Sequence, residues 1–518
     1  MAAQRTHITD IVRRWEQETP DREAIRSDEG SWTWSEWAAR IRRGASAQLA
    51  AGLRPGDRVA YLGKNHPACL ETTLACAWAG TVNAVVNFRL AADELAYVVN
   101  DAQARLLFVG AEFLPVFEGI RGKLPTVEQV VVVGGESDTY EAWLAAGNAA
   151  APDRTATPDE CFLQLYTSGT TGLPKGAMLT HRSMAAHTLA AAPAFGYTQG
   201  SVNLVALPLF HVGGTSWALL SMCSGGRTII VGDVVPERLL DQIVAERVSH
   251  AFLVPAVYGM LLAVPDVAMR DYSSVRCLGY GGSPMPLPLL ERCLQVFDVD
   301  FFQVYGMTEM SGVFSILPPA DHRDDIHRER LGSAGKPIPG VEVKVVDPHT
   351  LEELPAGSLG EFWVRSAQHM SGYWGRPEAT ADVLGEDGWL RTGDAGRLDE
   401  AGYLFVEDRI KDVIISGGEN IYPAEVERTL VGHPSVAEVA VIGVPDERWG
   451  EAVKAVVVAT AGAVLDEQEL IAFCRDRIAG YKCPKSIDVV DVLPRTPTGK
   501  LLKRELRAPY WAAGDRQI

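Results

Sequence analysis

Helical and strand-like segments alternate through the first quarter of the chain, and no other feature restricts the fold as strongly. Residues 35–51 have helical spacing of apolar side chains and end at Gly52. The short apolar run Arg58–Leu62 follows, then helical spacing over Pro67–Ala79, then the apolar run Val82–Val86. Short apolar runs between helices are typical of sheets that are buried on both faces. The sequence therefore predicts an α/β fold, with a large N-terminal domain in which helices flank β-sheets.

A second, smaller domain is predicted where the charged segment 408–412 separates two apolar, strand-like runs. We place the boundary there, so that residues 1–410 form the large domain and residues 411–518 form the small one. The small domain contains predicted helices at 424–430 and 467–478 and predicted strands at 436–444, 455–458 and 487–492. About 100 residues with this mixture suffice for an α+β domain.

Charge and composition exclude several classes of protein. The 518 residues carry 48 Lys and Arg against 66 Asp and Glu, a net charge of −18, which opposes nonspecific binding to nucleic acid and anionic lipid. No run reaches the length of an apolar membrane span, and the N-terminus carries too many charges for a signal peptide. We therefore expect a cytoplasmic protein with no transmembrane segment and no nucleic-acid partner. The eight cysteines include no CxxC pair, so we expect mostly buried thiols.

A loop rich in glycine and hydroxyl side chains follows the apolar run 162–165. It reads YTSGTTGLPKG over residues 166–176. Its glycines let the backbone wrap around a phosphate, its hydroxyls add donors, and Lys175 adds positive charge. It is not a Walker A motif, because Pro-Lys-Gly stands where that motif has Gly-Lys-Ser/Thr, and no helix is predicted directly after it. The loop therefore disfavours a P-loop kinase or ATPase and predicts another kind of phosphate site.

This loop resembles the phosphate-binding signature of the adenylate-forming superfamily, which includes acyl-CoA synthetases, adenylation domains and firefly luciferase. Five further motifs resemble those of the superfamily and follow in its order. They are GGSP at 281–284, YGMTE at 305–309, WLRTGD at 389–394, SGGENIYP at 416–423 and PRTPTGK at 494–500. The resemblance covers essentially the whole chain. It implies a mobile C-terminal domain, and it implies ATP, Mg²⁺, CoA and a carboxylic acid as cofactors and substrates.

The resemblance also implies which residues bind ATP or AMP. Tyr305 matches an aromatic residue that stacks on adenine, Thr308 matches a contact to the α-phosphate, and Asp394 and Arg409 match contacts to the ribose. The implied set is Thr167, Ser168, Gly169, Thr170, Thr171, Lys175, Gly281, Gly282, Ser283, Tyr305, Gly306, Thr308, Asp394, Arg409 and Lys500. Thr170 and Glu309 are the implied metal ligands, since a carboxylate beside triphosphate oxygens requires a hard cation between them.

Catalytic roles are implied for Lys500, Glu309, Thr308 and His211. Lys500 would bridge the substrate carboxylate and the α-phosphate, which offsets charge as the two anions meet. Lys411 matches the hinge about which the small domain turns. A non-catalytic nucleotide sensor would have lost Lys175, Glu309 or Lys500, and all three are present. The implied CoA-binding residues are Ser416, Gly417, Gly418 and Trp449.

The acid and the acyl acceptor are less sharply defined. His211 stands where amino-acid-activating domains usually have Asp, so we expect no amino-acid substrate. The implied acyl pocket comprises His211, Val212, Gly213, Tyr258, Gly279, Gly281, Met307 and Ser311. We expect a medium- to long-chain fatty acid, with an aryl or alicyclic acid as the alternative. No insertion follows residues 332–337 and no carrier-protein segment follows residue 518, so we expect transfer to free CoA, with an acyl-AMP ligase less favoured. The sequence leaves a homodimer open.

Overall fold

The computed structural model describes residues 7–150, 156–167, 173–283, 285–416, 419–446, 448–495 and 501–511. The chain forms two compact units. The larger unit comprises residues up to 342 together with 365–390, and the smaller unit comprises 343–364 together with residues from 391 onward. The fold is mixed α/β, which confirms the predicted class. The boundary predicted at 410/411, with its hinge at Lys411, stays a prediction.

The larger unit alternates helices and strands along its length. Its helices are α1 (Thr9–Glu18), α2 (Trp34–Ala50), α3 (Pro67–Ala79), α4 (Ala92–Asp101), α5 (Leu114–Ile120), α6 (Tyr140–Ala145), α7 (His181–Ala191), α8 (Val212–Cys223), α9 (Pro236–Ala245), α10 (Pro255–Leu262), α11 (Leu287–Phe297), α12 (Pro319–His322) and α13 (Pro377–Val383). Its strands are β1 (Glu23–Ser27), β2 (Gly30–Thr33), β3 (Arg58–Leu62), β4 (Val82–Val86), β5 (Ala104–Gly110), β6 (Gln129–Val133), β7 (Cys161–Thr167), β8 (Lys175–Thr180), β9 (Val202–Val205), β10 (Arg227–Ile230), β11 (His250–Leu253), β12 (Cys277–Gly281), β13 (Asp300–Met307), β14 (Gly312–Leu317) and β15 (Lys336–Pro337).

Helix ends in this unit follow from the local sequence. At the start of α2, the Thr33 side chain accepts from the Glu36 N–H while the Glu36 carboxylate accepts from the Thr33 N–H, which satisfies donors that the helix leaves open. Helix α3 begins at Pro67, whose fixed φ suits a first helical turn. It ends before Gly80, which takes the left-handed conformation with φ +80°.

Two sheets form the framework of the larger unit in the described residues. One has the strand order β15-β14-β13-β12-β11-β9-β10-β1-β2, and the other has the order β6-β5-β3-β4-β7-β8. Strands β13, β12, β11, β9, β10 and β1 run parallel, as do β6, β5, β3, β4 and β7. A core that includes Trp34, Trp37, Phe162 and Trp217 packs against them. Burial of such rings stabilises the unit by about 2–3 kcal/mol each.

The smaller unit is built on two sheets. Its strands are β16 (Glu342–Val346), β17 (Gly360–Arg365), β18 (Leu390–Leu398), β19 (Leu404–Arg409), β20 (Ile414–Ser416), β21 (Glu419–Ile421), β22 (Val436–Asp446), β23 (Gly450–Ala459) and β24 (Ser486–Val489), and its helices are α14 (Pro423–Val431), α15 (Glu467–Arg475) and α16 (Lys503–Arg507). Strands β16 to β19 form one sheet in sequence order. The other sheet has the order β21-β20-β23-β22, with β24 beside β23.

One segment differs from its predicted conformation. Asp408 and Arg409 belong to β19, although we expected a charged linker, because they continue the antiparallel ladder opposite Ala395 and Asp394. The expectation of buried thiols is borne out, since six of the eight free cysteines are buried and burial raises the pKa of Cys76 to about 12. In the described parts of the chain, no helix combines the length and apolar character that crossing a bilayer requires.

Candidate active site

Two of the predicted nucleotide-binding segments lie at the carboxyl ends of neighbouring parallel strands. Strands β12 and β13 pair in parallel with Gly281 opposite Val304, so both end at the same edge of the sheet. Ser283 continues beyond one strand end, and Tyr305 lies one residue beyond Val304. Ligands of open α/β sheets bind in the crevice outside this edge. The larger unit therefore gathers these residues where its topology favours a ligand.

Two glycines let the backbone approach closely at this edge. A Cβ on Gly281 would lie 2.3 Å from the carbonyl oxygen of Val304, and a Cβ on Gly306 would lie 2.2 Å from that of Gly312. Neither position accepts a side chain without a backbone shift. Gly282 takes φ +77°, a conformation that glycine adopts at no steric cost. Side chains are therefore excluded at Gly281 and Gly306, near Tyr305 in the sheet.

A one-turn 3-10 helix, Thr308–Met310, carries the predicted catalytic residues Thr308 and Glu309 between β13 and β14. The Ser311 N–H donates to the Thr308 carbonyl at 3.0 Å, and Ser311 takes φ +56°. From α7, His187 Nε2 accepts from the Val313 N–H at 3.0 Å. Burial lowers the pKa of His187 to about 3, so its ring is neutral and able to accept. The turn is thus held at both ends.

The predicted phosphate loop connects an antiparallel pair of strands. Thr167, at the end of β7, lies opposite Lys175, at the start of β8. A strand follows the loop, in agreement with the argument against a Walker A motif. Ser168, Gly169, Thr170 and Thr171 lie outside the described residues, so the structure locates this part of the predicted site only through its two ends.

Glu309, Tyr373 and Lys175 form a contiguous group in the larger unit. The Tyr373 hydroxyl donates to Glu309 Oε1 at 2.7 Å, and Lys175 Nζ lies 5.4 Å from the centre of the Tyr373 ring. Glu309 is 8% exposed. Among the described residues its second oxygen, Oε2, has no hydrogen-bond partner, and Lys175 forms no ion pair. A buried anion and a nearby cation are thus held by one aromatic side chain and remain available to a ligand.

Tyr373 reaches this group because a distant segment pairs with β8. The Met178 N–H donates to the Gly372 carbonyl at 3.0 Å, the Trp374 N–H donates to the Gly176 carbonyl at 2.8 Å, and Tyr373 forms an antiparallel bridge with Ala177. The Met370 N–H donates to the backbone carbonyl of Glu309 at 2.7 Å. The segment 370–374 therefore connects the phosphate-loop hairpin to the turn that carries Glu309.

A second group, centred on Asp101, supports both ends of the phosphate loop. The Tyr166 hydroxyl donates to Asp101 Oδ2 at 2.9 Å, and Arg376 pairs with Asp101 Oδ1 at 2.7 Å. The Tyr97 hydroxyl donates to the Pro174 carbonyl at 3.2 Å. Helix α4 thus holds Tyr166, the first residue of the loop, and Pro174, near its end.

Two of the predicted acyl-pocket residues, Gly213 and Gly279, lie close to one aromatic ring, that of Phe252. A Cβ on Gly213 would lie 3.5 Å from the Phe252 ring, and a Cβ on Gly279 would lie 3.3 Å from it. His211 caps α8 beside Val212, and burial lowers the pKa of His211 to about 4. Met307 lies opposite Gly312 in the β13–β14 pair, and Ser311 is fully buried.

Tyr258 has a different setting from the one we expected of a pocket residue. Its side chain is fully buried in a core that includes Phe297 and Phe301, and its hydroxyl donates to the Gly279 carbonyl at 2.8 Å. The ring therefore supports the strand that carries Gly279 from within the core. A direct contact between Tyr258 and the acyl group stays a prediction.

In the smaller unit, the predicted ribose-binding residues face each other across two strands. Asp394 lies opposite Arg409 in the β18–β19 pair, and Arg409 Nε contacts Asp394 Oδ1 at 2.7 Å. The Gly393 N–H donates to Glu361 Oε1 at 2.9 Å, and Gly393 takes φ +69°. The structure thus brings Asp394 and Arg409 together on one sheet of this unit.

Two of the predicted CoA-binding residues are also neighbours. Ser416 pairs with Gly450 across β20 and β23, which places Trp449 next to that pair. Trp449 is 42% exposed, and the Arg448 guanidinium lies 4.6 Å from its ring centre. Gly417, Gly418 and Lys500 lie outside the described residues. Lys411 belongs to a 3-10 turn, Ile410–Asp412, that follows β19.

A buried ion cluster lies beside that turn. Lys503 Nζ, on α16, contacts Glu427 Oε1 at 2.9 Å and Asp408 Oδ2 at 3.6 Å. Asp408 Oδ2 also accepts from the Ala424 N–H at 2.9 Å. Burial raises the pKa of Asp408 to about 6, although Lys503 opposes this shift. Burial disfavours the charge on Lys503, but Glu427 and Asp408 more than offset it, so the pKa of Lys503 is raised.

Comparison with known families decides which enzymes the chain is related to. A family model described as "AMP-binding enzyme" matches residues 12–374, well over half of the chain, and one described as "AMP-binding enzyme C-terminal domain" matches residues 425–500. The chain belongs to the AMP-binding enzyme family. This AMP-binding enzyme is a member of the adenylate-forming superfamily and an AMP-forming ligase of the acyl-CoA synthetase type, which confirms the predicted family. Reactions of this type use ATP, Mg²⁺ and CoA.

Relatives of this AMP-binding enzyme match along nearly its whole length. The fatty acid–[acyl-carrier-protein] ligase ScoC of Streptomyces coeruleorubidus is 41% identical over 507 residues, 97% of this chain and 96% of that protein. A feruloyl-CoA synthase of Amycolatopsis sp is 43% identical over 495 residues, 95% of this chain and 96% of that protein. The crystal structure of ATP-bound MatB from Rhodopseudomonas palustris has a TM-score of 0.88 and 32% identity and covers 97% of this chain and 99% of that one.

The donor set of this AMP-binding enzyme fits the Mg²⁺ that the reaction uses. The Oε2 atom of Glu309, which has no partner among the described residues, is a hard ligand that a hard cation favours. Mg²⁺ bound there would neutralise charge on the triphosphate. Thr170, the other predicted ligand, lies outside the described residues.

Two groups of interacting side chains in this AMP-binding enzyme were not predicted from the sequence. One is the contact of Tyr373 with Glu309, and the other is the cluster around Asp101. The run Gly372-Tyr373-Trp374-Gly375 was the available signal, because adjacent aromatic residues between glycines in a polar stretch require a packing partner. That signal does not name the partner, which is β8.

Proposed function

We propose that this enzyme activates a planar aromatic carboxylic acid with a polar ring substituent and transfers its acyl group to the thiol of CoA. In the first step a carboxylate oxygen of the acid bonds to the α-phosphorus of ATP, and pyrophosphate leaves with the electron pair of the broken P–O bond. The product is an acyl adenylate. In the second step the CoA sulfur bonds to the acyl carbon, the thiol proton is lost, and AMP leaves.

The larger unit supplies the residues for the first step in this proposal. Lys175 and the phosphate loop bind the triphosphate, Glu309 holds the metal ion, and Tyr305 packs against adenine. Lys175 lies beside the Tyr373 ring rather than beside a carboxylate, so its positive charge is available to phosphate oxygens. Lys500, from the predicted small domain, offsets the charge of the two anions as they approach each other.

The smaller unit supplies the remaining groups. Asp394 and Arg409 bind the ribose hydroxyls, since a carboxylate accepts from them and a guanidinium donates to them. Ser416, Gly417, Gly418 and Trp449 bind the CoA arm, and the exposed Trp449 ring gives it an apolar surface. A turn of the predicted small domain, residues 411–518, at Lys411 withdraws Lys500 after the first step and presents the CoA-binding residues for the second.

The observation that carries the substrate class is a pair of buried polar atoms among the acyl-pocket residues. His211 Nε2 and Ser311 Oγ are both buried and have no hydrogen-bond partner in the described residues. A buried polar atom without a partner costs about 1–3 kcal/mol, which a ligand with a complementary group recovers. A saturated alkyl chain has no such group, whereas a hydroxylated aromatic acid does. The 43% identity to a feruloyl-CoA synthase agrees with this class.

A medium- to long-chain fatty acid is the second candidate. The 41% identity to ScoC, a fatty acid–[acyl-carrier-protein] ligase, favours it, as does the apolar ring of Phe252 between Gly213 and Gly279. That relative also raises a carrier protein as an alternative acceptor.

The test uses purified enzyme with ATP, Mg²⁺ and CoA, and mass spectrometry of AMP, ADP and thioesters. The acids are ferulate, its analogue without the ring hydroxyl, and saturated medium- and long-chain fatty acids. We expect AMP and a thioester from ferulate, with kcat/KM at least about tenfold above that of the analogue. Turnover of fatty acids alone contradicts the substrate class, and ADP contradicts the reaction.

A pair of serine variants sharpens the test. Ser311→Ala should reduce the preference for the hydroxylated acid, because its Oγ is the proposed partner of the ring substituent. Ser315→Ala is the matched control on β14, the strand that begins just after Ser311, since Ser315 Oγ already donates to the Ala334 carbonyl at 2.6 Å. We expect the control to leave the preference unchanged. An unchanged preference in Ser311→Ala would exclude Ser311 as the discriminating residue.

A further inference from the structure

Tyr373 touches both charged groups of the proposed triphosphate site that lie in the described residues, Glu309 and Lys175. Its hydroxyl donates to Glu309 Oε1 at 2.7 Å, and its ring face lies 5.4 Å from Lys175 Nζ. The two contacts use different parts of one side chain. A change that removes the hydroxyl and keeps the ring therefore separates them.

The hydrogen bond decides which oxygen of Glu309 is available. A carboxylate can rotate and present either oxygen to a cation, and rotational freedom lost on binding weakens the complex. With Oε1 accepting from Tyr373, the group is fixed and Oε2 remains without a partner in the described residues. Tyr373 is itself only 8% exposed, and its backbone bridges to Ala177 on β8, so the hydroxyl comes from a rigid element.

The ring contact acts on the other charge. A cation over an aromatic face is stabilised without an anionic partner, so Lys175 stays close to the site without being neutralised. An Asp or Glu in the place of Tyr373 would pair with Lys175 and compete with phosphate. An aromatic side chain with a hydroxyl satisfies both requirements at once.

We propose that Tyr373 is a positioning residue for adenylation, which orients Glu309 Oε2 toward the metal ion through its hydroxyl and holds Lys175 for the triphosphate through its ring. This inference rests on the proposed function of Glu309 and Lys175. It predicts that metal affinity and nucleotide affinity respond separately to changes at residue 373.

The experiment compares Tyr373→Phe and Tyr373→Leu with wild type. Binding of Mn²⁺ in the presence of a non-hydrolysable ATP analogue is measured by electron paramagnetic resonance, and affinity for the analogue is measured by calorimetry. Tyr373→Phe should weaken Mn²⁺ binding about tenfold and leave the nucleotide Kd within about twofold. Tyr373→Leu should weaken Mn²⁺ binding equally and also weaken nucleotide binding about threefold or more.

Tyr140→Phe is the matched control, because the Tyr140 hydroxyl donates to buried Glu71 at 2.8 Å among residues to which we assign no catalytic role. It should lower stability and leave both affinities unchanged. Thioester formation from a synthetic acyl adenylate and CoA should be unchanged in every variant. Because Tyr373→Phe keeps the aromatic ring, it tests the role of the hydroxyl in Mn²⁺ binding even if Tyr373→Leu does not fold.

Three results would overturn the inference. They are an unchanged Mn²⁺ affinity in Tyr373→Phe, an equal loss of metal and nucleotide affinity in that variant, and the same metal loss in Tyr140→Phe. If the wild-type enzyme makes AMP and binds Mn²⁺, and Tyr373→Phe has the same Mn²⁺ affinity, the role of Tyr373 is refuted and the proposed function is not. A wild-type enzyme that makes ADP refutes the proposed function instead.

Discussion

Glu309 in the larger unit and Asp408 in the smaller unit are both buried carboxylates, but their partners differ. Asp408 Oδ1 accepts from the Arg409 N–H at 2.8 Å, and its Oδ2 accepts from the Ala424 N–H and lies 3.6 Å from Lys503 Nζ. Among the described residues, the Glu309 carboxylate accepts one hydrogen bond, from the neutral Tyr373 hydroxyl, and its second oxygen has no partner. A buried carboxylate satisfied within the protein maintains the fold, whereas one left partly unsatisfied indicates a ligand.

The comparison predicts that the two residues fail differently when changed. Removing the negative charge of Glu309, which pairs with no cation among the described residues, should lower activity and change stability little. Removal of a partner from a closed ion cluster should cost stability first, because the remaining buried charges lose their compensation.

The largest expected effect is that of Glu309→Gln on adenylation. The amide still accepts from Tyr373 but loses the charge that holds the metal ion, so pyrophosphate release should fall about 10²–10³-fold. Thioester formation from a synthetic acyl adenylate should remain within about threefold of wild type, and the melting temperature should change little. Pyrophosphate release within tenfold of wild type would contradict the role of the Glu309 charge in adenylation.

Lys503→Met should lower the free energy of opening of the region around α16 by about 3 kcal/mol, because Asp408 and Glu427 would remain buried without their cation. Hydrogen exchange followed by mass spectrometry in peptides from α14 and α16 measures it. The matched control is Lys482→Met, whose partner Glu425 lies at 2.7 Å in a more exposed pair and whose loss should cost less than about 1 kcal/mol. Equal effects of the two changes would refute the structural role of the cluster.

Asp394 provides an intermediate case, since Arg409 contacts it and we propose that the ribose does too. Asp394→Asn should raise the KM for ATP about tenfold, or about 1.4 kcal/mol, as charge-assisted hydrogen bonds are lost. The KM for CoA should not change. Glu438→Gln removes an exposed contact of the same 2.7 Å length, to Arg495, and serves as the control. An unchanged KM for ATP in Asp394→Asn would exclude it from the nucleotide site.

The last effect concerns the pH dependence of stability. Burial raises the pKa of Asp408 to about 6 from its ordinary 3.8, so the folded protein holds more protons at this group than the unfolded chain between about pH 4 and pH 6. Its contribution to the free energy of unfolding therefore falls as pH rises through that window and is constant above about pH 7.

Urea unfolding of wild type and Asp408→Asn across this range isolates that contribution. The difference between the two free energies, wild type minus variant, should decrease as pH rises, with a slope below about 1.4 kcal/mol per pH unit. A difference that is constant or increases with pH would show that burial does not govern this carboxyl group.

Much of the fold could be predicted from the sequence because the information is local. Apolar runs and helical spacing give β3, α3 and β4 with the bounds that the structure has. The same reasoning fails at Asp408 and Arg409, because a charged pentapeptide has the same composition whether it is a linker or the end of a buried strand. Only the ladder opposite Asp394 and the cation of Lys503 distinguish the two.

The candidate site divides in the same way. Resemblance of short motifs indicates Glu309, Lys175, Asp394 and Arg409, since each lies within a run of characteristic residues. It does not indicate Tyr373, whose importance comes from pairing of a late segment with β8. It places Tyr258 in the acyl pocket although the hydrogen bond to Gly279 and the packing around the ring are tertiary features.

The most direct measurement is binding of Mn²⁺, with a non-hydrolysable ATP analogue, to wild type, Glu309→Gln and Asp408→Asn by electron paramagnetic resonance. If the open oxygen of Glu309 holds the metal ion, Glu309→Gln should weaken nucleotide-dependent Mn²⁺ binding about 100-fold, while Asp408→Asn should bind as wild type does. Wild-type affinity in Glu309→Gln, or an equal loss in both variants, would contradict the division between a ligand carboxylate and a structural one.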